Sequence, residues 1–183
     1  MIALSHHGLK NHFELLAEYN RWMNTSLFSA LSGLEPREVA KDRGAFFGSI
    51  LGTLNHILVG DIIWLKRFTG HPANFTALRD LDERALPASL SEIIYADIAP
   101  LKTARETMDS VITHFIKETQ EEDFSYKLAY TNTKGKTYKK QFGHLVQHLF
   151  NHQTHHRGQV STLLNQQGID IGSTDLLMLI PEA

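Results

Sequence analysis

The chain of 183 residues is 42% hydrophobic and 21% charged, which suits a single domain, residues 1–183, with a sizeable core. Eighteen basic residues against twenty acidic ones give a formal charge of -2, and the lysines and arginines are scattered, so nucleic acid is excluded as a partner. With no cysteine, disulfides, thiolate metal sites and cysteine nucleophiles are excluded too, and any metal must be held by nitrogen or oxygen.

The first ten residues have neither the basic start nor the apolar core of a secretory signal, and no apolar run approaches the ~20 residues that span a bilayer. A cytoplasmic protein with no membrane partner is expected. From Ser5 to Leu31, Leu9, Phe13, Leu16, Ala17, Tyr19, Asn20, Met23, Leu27 and Leu31 recur at three- and four-residue steps, which predicts an amphipathic helix stopped by Gly33 and Pro36. A loop through Arg43 and Gly44 leads to Ser49, a candidate cap for a second helix that runs to Phe68 with Gly70 beyond its end. The stretch from His71 to Ser91, with Pro72 and Pro87, is longer than a compact helical hairpin needs and reads as a crossing connection with room for a short helix. A third helix is expected from Ser91 to Glu118, kinked or restarted at Pro100, with Ile94, Ile98, Leu101, Arg105, Met108, Ile112 and Phe115 on its face. Phe124 to Tyr130 and Lys136 to Lys140, on either side of a turn from Asn132 to Gly135, predict a small β-hairpin. A fourth helix should run from Lys140 to Gln167, stopped by Gly168, with Leu145, Leu149, His152, His156, Val160 and Leu163 inward; the apolar tail from Asp170 should pack back onto the bundle. Four helices with long crossovers make an all-α four-helix bundle, and bundle interiors commonly build metal sites from facing helices.

The chemistry lies in histidine. Five of the eleven, His144, His148, His152, His155 and His156, fall within thirteen positions of the fourth helix. A helix returns to the same face after four residues, so 144/148, 148/152 and 152/156 are stacked pairs whose imidazoles can converge on one ion. A third ligand must come from elsewhere, and His56, among apolar residues midway along the second helix, is the candidate. Alone it would read as a core histidine bonded to a backbone carbonyl or a water. Gly52 and Gly60, four residues to either side on its own stripe, each cost the helix about 1 kcal/mol relative to alanine, and space around an imidazole is one reason to keep them. Three neutral imidazoles with an open fourth position can lower the pKa of a bound water to roughly 7, polarise a substrate oxygen or take a thiolate. Nitrogen-only ligation suits zinc, nickel, copper or iron(II).

The remaining candidates are weaker. His148, one turn before the pair, is a supporting group or an alternative ligand, while His144, His155, His6, His7, His12, His71 and His114 read as surface residues, His6 and His7 able to take up metal adventitiously. Gly158 suggests close packing against a neighbouring helix. Arg157 is expected to pair with a carboxylate at the bundle edge, ahead of binding an anionic substrate group. Asn20, Trp22, Asn55, Asp61, Trp64 and Asn151 complete the polar and aromatic residues placed near a pocket. There is no GxSxG, phosphate loop, GxGxxG or HExxH.

The segments Tyr19 to Asn24 (YNRWMN), Asn55 to Gly70 (NHILVGDIIWLKRFTG) and Asn151 to Gln159 (NHQTHHRGQ) together resemble, in order and over nearly the whole chain, the DinB family of the DinB/YfiT-like superfamily. The resemblance implies an up-down-down-up four-helix bundle that holds a divalent metal with one histidine of the second helix and two of the fourth, which are His56, His152 and His156 here. It also implies a homodimer. Relatives in the superfamily include low-molecular-weight-thiol S-transferases, a mycothiol-dependent isomerase and metal-dependent hydrolases. The expectation is therefore a metalloenzyme with zinc or nickel, ahead of iron or manganese, that activates a thiol, or else water, against a small electrophile. Its partner is a small-molecule substrate and its thiol one of low molecular weight. The competing expectation is a non-catalytic stress-response protein that binds a metal or small molecule. The family name reflects induction by DNA damage and implies no contact with DNA.

Overall fold

The computed structural model describes residues 8–182, so His6 and His7 lie outside the described residues. The chain is mostly helical with one two-stranded hairpin: α1 (Leu9–Leu31), α2 (Pro36–Ala40), α3 (Ile50–Phe68), α4 (Arg79–Glu83), α5 (Ile98–Glu118), β1 (Lys127–Thr131), β2 (Thr137–Gln141) and α6 (Phe142–Asn165). The four long helices pack α1 against α5 and α6, and α3 against α6 and α5. None of the described helices is long and apolar enough to cross a membrane.

Helix α1 buries Phe13, Ala17, Asn20, Met23, Asn24, Leu27, Phe28 and Leu31; of the predicted stripe, Leu16 and Tyr19 are only half-buried and Leu9 is exposed, while Asn24 and Phe28 are added. Its N-terminus has no local side-chain cap; instead the Glu121 carboxylate accepts from the Leu9 and Lys10 N–H groups at 2.8 and 3.0 Å. A distant anion thus satisfies donors that the first turn leaves free, and those bonds hold the Glu121 carboxyl below its usual range. Ser49 caps α3 as expected, accepting from Gly52 N at 3.0 Å. Helix α3 is buried on almost every face, the pattern of a central helix rather than of an amphipathic one. The short helix expected in the crossing is α4, which follows a 3-10 turn at Thr76–Leu78.

Two features differ from what the sequence predicts. The third long helix starts at Ile98, not Ser91, because Asn55 on α3 holds the preceding segment out of helix: its Oδ1 accepts from Tyr95 N and its Nδ2 donates to Tyr95 O, both at 2.9 Å. Pro100 then falls in the first helical turn, where its missing N–H is not needed, so it neither kinks nor restarts α5. The tail packs back onto the bundle as predicted, through Ile169, Ile171, a Tyr19 hydroxyl donating to Thr174 O at 2.6 Å and the turn Leu176–Leu179 against α1, while Leu177 and Met178 stay exposed. The hairpin is as predicted, in register from Lys127 opposite Gln141 to Thr131 opposite Thr137, and its turn uses Gly135 at φ 77.

One end of the core is aromatic, with Phe68 against Phe142 at 5.1 Å and Phe75 against Phe115 at 5.1 Å between ring centres. His71 belongs there and not on the surface: its ring is 4.6 Å from Phe142 and 4.7 Å from Tyr126, its Nδ1 accepts from Ala73 N, and burial lowers its pKa. The turn that ends α3 folds it inward, which helical periodicity had no means of signalling.

Candidate metal centre

Helices α3 and α6 bring together the three histidines named from sequence. His56 Nε2 lies 3.0 Å from His152 Nε2 and 3.1 Å from His156 Nε2, and one nitrogen from each of the three falls within 4.8 Å of the others. The outer nitrogens fix which tautomers face each other. His56 Nδ1 is 2.7 Å from the Leu90 carbonyl, an acceptor only, so Nδ1 carries the proton and Nε2 offers a lone pair. His156 Nδ1 is 2.8 Å from Gln159 Oε1, and the Gln159 amide N donates to His155 Nε2 at 3.4 Å, so His156 Nε2 is a lone pair as well. Two lone pairs therefore confront each other at 3.1 Å with no proton between them, a repulsive arrangement that a shared cation reverses. Nitrogens bonded at ~2.0–2.1 Å to one tetrahedral ion stand about 3.3 Å apart, close to the spacings here.

Backbone and ring packing hold this geometry. A Cβ on Gly60 would lie 2.6 Å from His152 Cε1, so the glycine is the space the imidazole occupies. Gly52 answers a different demand: a side chain there would run into the Phe47 carbonyl oxygen, so that glycine admits the loop rather than a ring. The same loop lays Phe47 flat on His56, ring centres 3.7 Å apart and planes 17° apart, and edge-on to His156 at 5.6 Å. Gly60→Ala is expected to push His152 off its position, cost about 1–3 kcal/mol of stability and weaken metal binding; urea unfolding and metal titration measure the two effects.

All three histidines are held below the usual imidazole pKa, in each case chiefly by burial and with a neighbouring imidazole adding to it. His152 is pushed furthest, to about 3. They are thus neutral, the form that binds metal. Folding stability depends on pH accordingly. The unfolded chain takes up a proton near the ordinary histidine pKa of ~6.5 where the folded chain does not, so stability from His152 is present above that value and is lost as pH falls toward about 3. Metal-free protein is expected to lose thermal stability between pH 7.5 and 5 relative to a His152→Gln variant, measured by parallel melts.

The other histidines separate cleanly. His148 makes no hydrogen bond to the three; its ring sits 6.1 Å from His152 and 4.9 Å from Trp64, so it is a neighbour of the site and not part of the cluster. His12, His114, His144 and His155 are exposed, as read from sequence. Asn151 is exposed and accepts from Gln147, and Trp22 packs against Tyr19.

The inward stripe of α6 needs correction. Gln153 and Arg157 are the buried residues, while His152 and His156 are half-buried. Arg157 is not at an edge, and among the described residues it pairs with no carboxylate: it donates to Asn20 Oδ1 and to Gln153 Oε1 inside a polar layer. That layer continues through Asn24, whose amide donates to Asp109 at 2.9 Å, to Arg105, which pairs with Asp109 at 3.0 Å and with Asp61. Gly158 is exposed, and a Cβ there would meet no described atom within 4 Å, so it serves no helix contact. Gly158→Ala should raise stability by up to about 1 kcal/mol, read from denaturant midpoints.

Sequence reasoning missed three supporting parts: the Leu90 carbonyl and Phe47, which only the crossing loops bring to the site, and Gln159. Gln159 carried a signal, since it stands three residues after His156 and so reaches that ring.

A family model described as the DinB family matches residues 8–182. The chain is also similar to Protein DinB of Bacillus subtilis (strain 168), with 27% identity over 161 residues, 87% of this chain and 88% of that one. No solved structure matches.

Proposed function

The chain belongs to the DinB family, and on that premise we propose that His56, His152 and His156 hold one divalent metal ion in an enzyme that activates a thiol, or else water, against a small electrophile. The observation that carries this reading is the pair of unprotonated Nε2 atoms of His56 and His156 turned toward each other at 3.1 Å, with His152 Nε2 at 3.0 Å from the first. Zinc or nickel suits an all-imidazole set ahead of iron or manganese. When bound, the ion supplies Lewis acidity that brings the pKa of a thiol or water toward neutrality. The chain's own residues orient and shield: Leu90 O fixes the His56 ring, Gln159 fixes the His156 ring, and Phe47 closes one face of His56 to solvent. No carboxylate joins the three histidines among the described residues, which favours a substrate acidified by the ion, as a thiol is, over one that needs a separate base.

The same reading takes the four long helices as an up-down-down-up bundle forming a single domain, paired as a homodimer in the cytoplasm and acting in a stress response. It is tested on protein purified without a histidine tag. Metal analysis should find one ion per chain, and a panel of low-molecular-weight thiols with small electrophiles should give turnover that chelation and His56→Ala abolish. A tightly held ion without turnover toward thiols or hydrolysable esters would instead make the protein a non-catalytic metal or small-molecule binder, and absence of metal would sink the site.

A further inference from the structure

Beyond the three histidines, the same face of α3 ends at a cation that has no anion among the described residues. His56, Gly60, Trp64 and Arg67 follow one another at four-, four- and three-residue steps and so share one side of the helix. The Arg67 guanidinium carbon lies 4.5 Å from the centre of the Trp64 ring and 5.2 Å from that of Tyr130 on β1. The side chain is half-buried, yet among the described residues its N–H groups meet no hydrogen-bond acceptor and no carboxylate. Lys66 beside it also lacks an acid among the described residues: its ammonium donates to the carbonyls of Asp82 at 2.8 Å and Arg84 at 2.5 Å. Lys66, Arg67, Thr131, Asn132 and Thr133 line a cavity of about 260 Å³. The Asn132 Oδ1 accepts from Lys134 N and Lys136 N, which leaves its amide N–H groups as donors.

We propose that Arg67, with Lys66 beside it, binds an anionic group, a carboxylate or phosphate, at the far end of a small molecule whose reacting end lies at the three histidines. Two positive charges drawn partly out of water lose hydration that no carboxylate of the described chain replaces, and a bound anion replaces it. Cation–π contact with Trp64 and Tyr130 restrains the guanidinium, which suits a fork that grips two oxygens at once. Ring contacts link this subsite to the histidines, because the His148 ring lies 4.9 Å from the Trp64 ring and 6.1 Å from the His152 ring. Gly60, which abuts His152, and Arg67 are seven residues apart, roughly 10 Å along the helix. The ligand is therefore an extended acid with its reacting atom and its anion on the order of 10 Å apart, not a compact electrophile. This span rests on the reaction centre proposed above; the anion subsite itself does not.

The test uses Trp64 as reporter in a Trp22→Phe background of the full chain. Inorganic phosphate and, separately, succinate are titrated at constant ionic strength into protein with and without a chelator. The expected result is a saturable change in emission in both preparations, weakened tenfold or more by Arg67→Gln and left unchanged by His152→Ala. The anion that saturates at lower concentration identifies which oxygen chemistry the subsite prefers. In the unsubstituted protein the Arg67 Nε–H resonance should shift with the same midpoint. No saturable response to either anion, a stationary Arg67 resonance, or an Arg67→Gln variant that titrates like its parent overturns the proposal and leaves Arg67 as a clamp between α3 and the hairpin. Anion binding by a wild-type chain that takes up no added metal would support the subsite while removing the reaction centre, so the two readings fail separately.

Discussion

Arg105→Ala is expected to lose about 3–5 kcal/mol of unfolding free energy, enough to remove a large share of a domain stability that is typically ~5–15 kcal/mol. Arg105 is buried between Asp61 and Asp109, both also buried, and among the described residues no other cation pairs directly with either carboxylate. Burial already raises the Asp61 carboxyl to about 6 and raises that of Asp109, with Arg105 opposing the shift in both. Without the guanidinium, two carboxylates face one another in a dry layer and at least one must take a proton. The sign of the pH dependence distinguishes this from simple loss of packing. An acid whose folded pKa is raised binds more protons folded than unfolded, so its penalty grows as pH rises above the ordinary ~3.9 and is complete above the folded value. The Arg105→Ala deficit should therefore be larger at pH 8 than at pH 5 by urea unfolding. A deficit independent of pH would mean that packing and not charge is lost. The neutral combination Arg105→Leu with Asp61→Asn should recover part of the loss, because it leaves only Asp109 to be accommodated.

The second large effect is on metal. His152→Ala is expected to lower affinity well beyond the roughly 10–100-fold that removal of a supporting partner costs, since it deletes one of three converging nitrogens. Gln159→Ala should fall within that roughly 10–100-fold range, because it only frees the His156 ring to turn. His148→Ala should change affinity little, since His148 stands outside the cluster with its ring 6.1 Å from His152. Chelator competition orders the three variants. If His148→Ala weakens binding as much as His152→Ala, the ligand set is wrong; if all three bind like wild type, the ion sits elsewhere.

Features that rest on local information were legible in the sequence. Stacked residues at four-residue steps named His152 and His156, and an isolated histidine flanked by glycines named His56. The bland account of His56 and the ligand account also proved compatible, since its ring does bond a backbone carbonyl while its other nitrogen faces the cluster. Failures came where a distant segment decides the outcome. His71 is buried by a turn, Arg157 by a polar layer assembled from four helices, and Ser91 to Asp97 is kept out of helix by one asparagine on α3. Gly158 misled because a helical glycine usually signals contact, and here none is made.

By itself the sequence determined the helical content, the hairpin, the absence of any cysteine chemistry and the three histidines, because periodicity, turn residues and composition act over a few positions. Only the tertiary structure decided which nitrogens face one another, that His152 and His156 stand half-buried beside a buried charge layer, and that Arg67 is left without an acid among the described residues. Those features depend on Leu90, Gln159, Phe47 and Tyr130 arriving from separate elements, and on lone pairs and charges whose partners are set by packing across the fold.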